Sequence, residues 1–126
     1  MMIKIKRIYQ SAEPTDGHRV LVDRLWPRGI TRERAKVDEW LKEIAPSHEL
    51  RKWFHKQPEQ WNEFERRYVK ELRSPLKKEL IEQLRDRAVD GTITLLFSVR
   101  DEIHNHASVL RNMLLGQPDE NRFKEN

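Results

Sequence analysis

Cysteine is absent from the 126 residues. That excludes disulfides, thiolate nucleophiles and cysteine metal sites, and it suits a reducing cytosol. Long apolar runs are missing as well. No segment approaches the roughly 18 apolar residues of a membrane span. The opening Met1-Met2-Ile3-Lys4-Ile5-Lys6-Arg7 alternates apolar with basic residues instead of offering the apolar core of a secretory signal. The expectation is a cytoplasmic chain. Internal repeats and low-complexity segments are also lacking, so the simplest organisation is a single domain over 1–116 followed by a polar C-terminal tail, 117–126.

Charge is what the chain has in quantity: 37% of its residues are charged, 25 Lys+Arg against 21 Asp+Glu. The net charge of +4 leans toward anionic partners. The acids are intermixed with the bases, however, and a dedicated nucleic-acid binder concentrates its positive charge on one face. A solvated mixed-charge surface is the simpler reading.

The apolar pattern places the elements. Ile3 and Ile5 alternate with Lys4 and Lys6, which predicts a half-exposed strand over 3–9 at a sheet edge. Ser11 to His18, with Pro14, Asp16 and Gly17, has turn composition. Val20-Leu21-Val22 reads as a second strand, and Thr92 to Phe97 as a strand buried on both faces, as in a parallel sheet. Between them lie helical stripes. Thr31 is a candidate N-cap for a short basic turn, Asp38 for a helix over 39–44, and Ser47 for a helix carrying Leu50, Trp53 and Phe54. Pro58 is expected in the first turn of a helix with Trp61, Phe64, Tyr68 and Leu72 on its inner face. Ser74-Pro75 opens the next, with Leu76, Leu80, Ile81, Leu84 and Ala88. The last helix is expected at about 104–115, burying Ala107, Leu110 and Leu114. This order predicts a small α/β domain, three-layer-like, with a short, mainly parallel sheet flanked by helices. Residues 20–23 and 92–97 would pair in parallel through a right-handed helical crossover.

In open α/β sheets, ligands bind where strands release their carboxyl ends. Here those ends deliver Asp23 and Arg24 from one strand, and Ser98, Arg100 and Asp101 from the other. The last helix would point its N-terminus at the same place, favouring an anion. Arg24, Arg28 and Arg100 are candidate forked donors for phosphate or carboxylate. Asp23, Asp101 and His104 are candidates for proton transfer, and Asn105 for orienting a ligand or water. The competing reading is an internal network in which Asp23 pairs with Arg100 and Asp101 caps the last helix. His104-Asn105-His106 resembles a metal pair, but residues two apart on a helix point to different sides, so no metal is expected. Nothing calls for a cofactor. Trp26 either walls a pocket or plugs the core beneath its loop. The aromatic series Trp40, Trp53, Phe54, Trp61, Phe64, Tyr68 reads as core packing rather than a stacking platform for bases, and His48 and His55 as surface groups.

The string Val20 to Gly29 (Val-Leu-Val-Asp-Arg-Leu-Trp-Pro-Arg-Gly) resembles the YeaO-like family, a bacterial and archaeal family of small domains known as domain of unknown function 488. So do Ala45-Pro46-Ser47 leading to Leu50-Arg51-Lys52-Trp53-Phe54, Phe64 with Arg67-Tyr68, and Leu95-Leu96-Phe97-Ser98 followed by Asp101, His104, Asn105, Ala107 and Val109-Leu110. The resemblance runs from about residue 3 to 115. It implies a compact α/β domain and carries no established activity, so it transfers no catalytic residues. Members usually have tyrosine where this chain has Phe97, Ala-Lys in place of Val99-Arg100, and asparagine in place of His106. Arginine at 100 disfavours a Schiff-base lysine there. More distant relatives carry cysteines after the equivalent strand, and this chain has none to offer.

The leading expectation is a domain that binds a small anionic ligand, phosphorylated ligands included, at the strand carboxyl ends, with acid/base hydrolysis or group transfer as the reaction class if it is an enzyme. The alternative is a non-catalytic interaction module for nucleic acid or a protein partner. A scaffold or oligomerisation domain is the third reading.

Overall fold

The computed structural model describes residues 1–116; the tail expected over 117–126 lies outside the described residues. Four strands form one parallel sheet: β1 (Ile3–Arg7), β2 (His18–Leu21), β3 (Glu39–Trp40) and β4 (Ile93–Phe97). Their order is β1-β4-β2-β3, which puts β4 inside and β1 at an edge, as the Lys4/Lys6 alternation predicts. β2 and β4 are parallel neighbours, with Val20 opposite Leu95 and Leu21 opposite Leu96. The helices are α1 (Arg32–Ala35), α2 (His48–Lys56), α3 (Trp61–Leu72), α4 (Pro75–Asp90) and α5 (His106–Leu115). None of the described helices is long and apolar enough to cross a membrane.

The two-residue period of the strands divides the core. Ile3, Val20, Val22, Ile93, Leu95 and Phe97 face the main cluster, which α2 to α5 complete with Leu50, Phe64, Tyr68, Ile81, Leu84 and Leu110. Leu21 and Leu96 face the other side, joined by Ile8 and Ala35 and covered by Trp26 and Trp40. Trp26 therefore plugs the core, and its indole N–H donates to Ile30 O at 2.8 Å. The third layer is thin. It is built from the β2–β3 connection rather than from long helices.

On that second face the sheet also buries charge. Asp16 and Arg19 are 0% and 4% exposed. Arg19 pairs with Asp16 and donates to the Ala35 carbonyl, while Lys6 reaches Asp16 at 3.1 Å. Thr94 Oγ1 donates to the Asp16 carbonyl at 2.7 Å. Burial alone would raise the Asp16 pKa. The Glu13 N–H, the Lys6 ammonium and the Arg19 guanidinium outweigh it and bring the carboxyl to about 2. The turn composition of 11–18 thus conceals the main buried ion pair.

Local boundaries differ from expectation at three places. Glu39-Trp40 is not a helix capped by Asp38. Asp38 Oδ2 instead accepts the Arg19 N–H at 2.8 Å, which seats Glu39-Trp40 beside Val20-Leu21 as the second edge strand. Only residues 42–44 turn helically after it. Pro58 lies in the turn before α3, which starts at Trp61. The last helix starts at His106, leaving His104 outside it. Thr31 and Ser47 cap α1 and α2 as expected, accepting from Arg34 N and Leu50 N.

Candidate functional site

Strands β1, β2 and β4 end together, and the ladder continues one residue past β1 and β2, with Ile8 N donating to Phe97 O and Val22 N to Leu96 O. The backbone then delivers Asp23 and Ser98 to the same edge. Ser98 Oγ donates to Asp23 Oδ2 at 2.6 Å. His106, the first residue of α5, brings Nε2 to 2.9 Å from Asp23 Oδ1 and 3.1 Å from Val22 O. The ring N–H is better aligned on the Val22 carbonyl, so Asp23 Oδ1, on a side chain only 10% exposed, has no aligned donor among the described residues. The start of α5 therefore does meet the strand ends, as the topology required.

The candidate residues divide into two groups. Asp23 and Ser98 are in direct contact. Arg24 lies beside them on the β2 side, where its guanidinium reaches the Ala45 and Pro46 carbonyls at 3.4 Å. Asn105 is buried and structural: its Oδ1 accepts from Ser108 N at 2.9 Å as the α5 N-cap, and its Nδ2 donates to Asp101 O at 2.9 Å. Asp101 does not cap α5. Its carboxylate turns the preceding loop by accepting from His104 N at 2.9 Å and Ile103 N at 3.0 Å, and those N–H groups, His104 first, hold its pKa below the usual carboxylate value. His104 is over half exposed and stacks on Trp61 with ring centroids 5.0 Å apart, its Nδ1 3.8 Å from Asp101. The Asp23–Arg100 pair of the competing reading does not form; Ser98 and His106 are the side chains at Asp23. Arg100 and Arg28 are exposed, and neither side chain has a hydrogen bond or ion pair with a described residue.

Two residues of the site escaped the sequence reading. Arg7, at the end of β1, clamps the β4 exit by donating from Nη2 to Ser98 O at 2.8 Å and from Nε to Val99 O at 2.9 Å. The sequence reading gives His106 no role at Asp23. Its partner is Asp23, and among the described residues no group of three or more His, Cys, Asp or Glu side chains is arranged to hold a metal. Beneath the site, Tyr68 donates its hydroxyl to Ile44 O at 2.6 Å, and burial pushes its pKa up. This phenol is a structural donor.

The arrangement restricts the chemistry. In a hydrolytic triad the imidazole stands between carboxylate and hydroxyl. Here the carboxylate stands in the middle, and both the Ser98 hydroxyl and the His106 ring turn toward it. Among the described residues no base hydrogen-bonds Ser98 Oγ other than Asp23 itself. The Asp101–His104 pair belongs to the loop surface. Arg28 and Arg100, in the segments that follow β2 and β4, are exposed cations with no hydrogen bond or ion pair from their side chains to a described residue.

A model of the family described as "Inactive DUF488-N3 subclade" matches residues 2–126. The chain is 45% identical to the uncharacterised protein YeaO of Escherichia coli over 114 residues, covering 90% of this chain and 97% of that one. It is 40% identical to uncharacterised proteins of Mycobacterium tuberculosis and Mycobacterium bovis over 115 residues, covering 91% of this chain and 95% of each. No solved structure matches the chain significantly.

Proposed function

The chain belongs to the DUF488 family, in the subclade described as inactive, and from that premise we propose that it binds a small anionic ligand, such as a phosphate ester, at the carboxyl ends of β2 and β4. The observation that carries this reading is the freedom of Arg100. With Asp23 held by Ser98 and His106, the charge that would have neutralised Arg100 is committed elsewhere. Arg100 and Arg28 are therefore the natural anion contacts, with Arg24 beside them and the α5 start adding favourable dipole. Ser98 and Asn105 act by fixing the loop rather than by touching the ligand.

Binding without turnover is favoured over acid/base hydrolysis or group transfer. The three proton-transfer candidates, Asp23, Asp101 and His104, do not share one site, and the carboxylates of Asp23 and Asp101 are both engaged in hydrogen bonds. The description of the subclade as inactive agrees with this. The test is thermal unfolding at fixed ionic strength against phosphate esters, nucleotides, carboxylates and inorganic phosphate. A ligand at about 100 times its Kd should stabilise the fold by about 2.7 kcal/mol. The shift should vanish in Arg100→Ala, measured against that variant's own baseline. A shift that survives Arg100→Ala contradicts the assignment.

A further inference from the structure

One segment of this chain carries a local net charge as large as that of the whole chain. Residues 24–36 hold five bases, Arg24, Arg28, Arg32, Arg34 and Lys36, against one acid, Glu33, a net of +4 that equals the net charge of all 126 residues. The other 113 residues balance at 20 bases and 20 acids. This segment forms the β2–β3 connection and lies across the second face of the sheet. Arg28, Arg32, Arg34 and Lys36 are all exposed, and none forms an ion pair with a described residue. The acids that follow are committed elsewhere: Asp38 accepts from the Arg19 N–H, and Glu39 faces His18 Nε2 at 3.0 Å. The mixed-charge surface expected from composition therefore holds for the rest of the molecule and fails here.

Planar groups are mounted in the same region. The Arg32 guanidinium lies 4.4 Å from the Trp26 ring centroid, Lys42 Nζ lies 4.3 Å from that of Trp40, and the two indoles meet edge to face at 5.5 Å. Both indole N–H groups are tied to backbone carbonyls, Ile30 O and Asp23 O, which fixes the rings. Exposed cations layered on fixed aromatic rings combine phosphate attraction with flat surfaces for stacking.

We infer that the β2–β3 connection is a binding surface for single-stranded nucleic acid, with Arg32, Arg34 and Lys36 contacting phosphates and the Arg32–Trp26 stack receiving a base. Guanidiniums match phosphate oxygens in a fork, which distinguishes this patch from a lysine-rich one. A single strand is the fitting partner because α1 has only four residues, too short to enter a groove and read base edges. Recognition is by backbone charge and stacking and is tolerant of sequence. Arg24 and Arg28 border the small-anion site as well, but this inference stands on Arg32, Arg34 and Lys36, which that site does not use.

The experiment is fluorescence anisotropy with a labelled 15-nucleotide oligo-dT and oligo-U, across a salt series, on the full chain. Contact with three or four phosphates predicts a log–log salt slope of about −2 to −3. Arg32→Ala/Arg34→Ala, both exposed positions, should weaken binding roughly tenfold and flatten the slope by about 1 to 1.5. Lys36→Gln alone should show the same effect in smaller degree, which keeps the test valid if the double variant unfolds. Lys52→Ala/Lys56→Ala removes the same charge from α2 and should leave binding unchanged. The inference is overturned if no salt-dependent binding is seen. It is also overturned if the α2 variant loses as much affinity as the segment variant, or if phosphatidylserine vesicles bind while the oligonucleotides do not. None of these outcomes bears on the Arg100-dependent thermal shift.

Discussion

Asp23 and His106, 83 positions apart in the chain, meet at the carboxyl edge of the sheet with His106 Nε2 2.9 Å from Asp23 Oδ1. This contact fastens the start of α5 to the end of β2 and determines what else is free. It sets His106 rather than Arg100 against Asp23, and the Arg100 guanidinium has no hydrogen bond or ion pair with a described residue. Ser98 completes the junction by donating to the other carboxylate oxygen.

Loss of the Ser98 hydroxyl leaves Asp23 Oδ2 buried and unpaired. Ser98→Ala should destabilise the fold by about 1 to 3 kcal/mol in denaturant unfolding. Asp23→Asn should be destabilising too, and the double variant should cost less than the sum of the two by at least about 0.5 kcal/mol. Strict additivity would mean the hydrogen bond contributes little.

Asp16 contributes to the acid limb of stability through its buried carboxylate. Its folded-state carboxyl titrates at about 2 against an ordinary 3.8. The group is depressed on folding, so its contribution is fully present above the unfolded value and is lost as pH falls from about 3.8 through about 2. Wild type should lose thermal stability across that window, and Asp16→Asn should lose less of it. At neutral pH, Asp16→Ala strands the buried Arg19 and should cost about 3 to 5 kcal/mol.

Gly17 and Gly29 both have positive φ, +64° and +78°, yet they should respond differently to alanine. A Cβ at Gly17 would overlap the Thr92 carbonyl oxygen, the same atom that accepts the His18 N–H and starts the β2–β4 ladder. A Cβ at Gly29 meets nothing within 4 Å. Gly29→Ala should cost about 1 kcal/mol for the strained backbone alone. Gly17→Ala should cost clearly more, read as the larger fall in Tm.

Asn105 serves two groups at once, as α5 N-cap and as donor to the Asp101 carbonyl. Asn105→Ala should cost about 1 to 2 kcal/mol. Asn105→Asp keeps the cap oxygen but loses the donor, so it should recover only part of that. Equal stability of the two variants would show that the contact with Asp101, and not the cap, dominates.

Much of this architecture is visible in the sequence, and the failures have a common cause. The apolar run of β4 and the hydroxyl caps at Thr31 and Ser47 are local signals, decided by residues within a few positions of one another. The edge strand Glu39-Trp40 is not, because two residues carry no period and only their pairing with β2, framed by the Asp38–Arg19 and Leu41–Leu21 hydrogen bonds, makes them a strand. The same holds in the site. Asp23 and Ser98 are legible as neighbours because topology brings strand ends together. The clamp by Arg7 on Ser98 and the His106–Asp23 contact span 91 and 83 positions, and no local pattern announces them. The buried ion pair of Asp16 was concealed because aspartate beside glycine has an ordinary meaning in a turn.

The most direct test of the anion site is a titration with inorganic phosphate and then a phosphate monoester, followed residue by residue through the backbone amide resonances. The account predicts saturable shifts confined to residues 24–29 and 98–106, and their disappearance in Arg100→Ala with the fold intact. Shifts spread evenly over every exposed lysine and arginine, or an unaltered titration in Arg100→Ala, would contradict it.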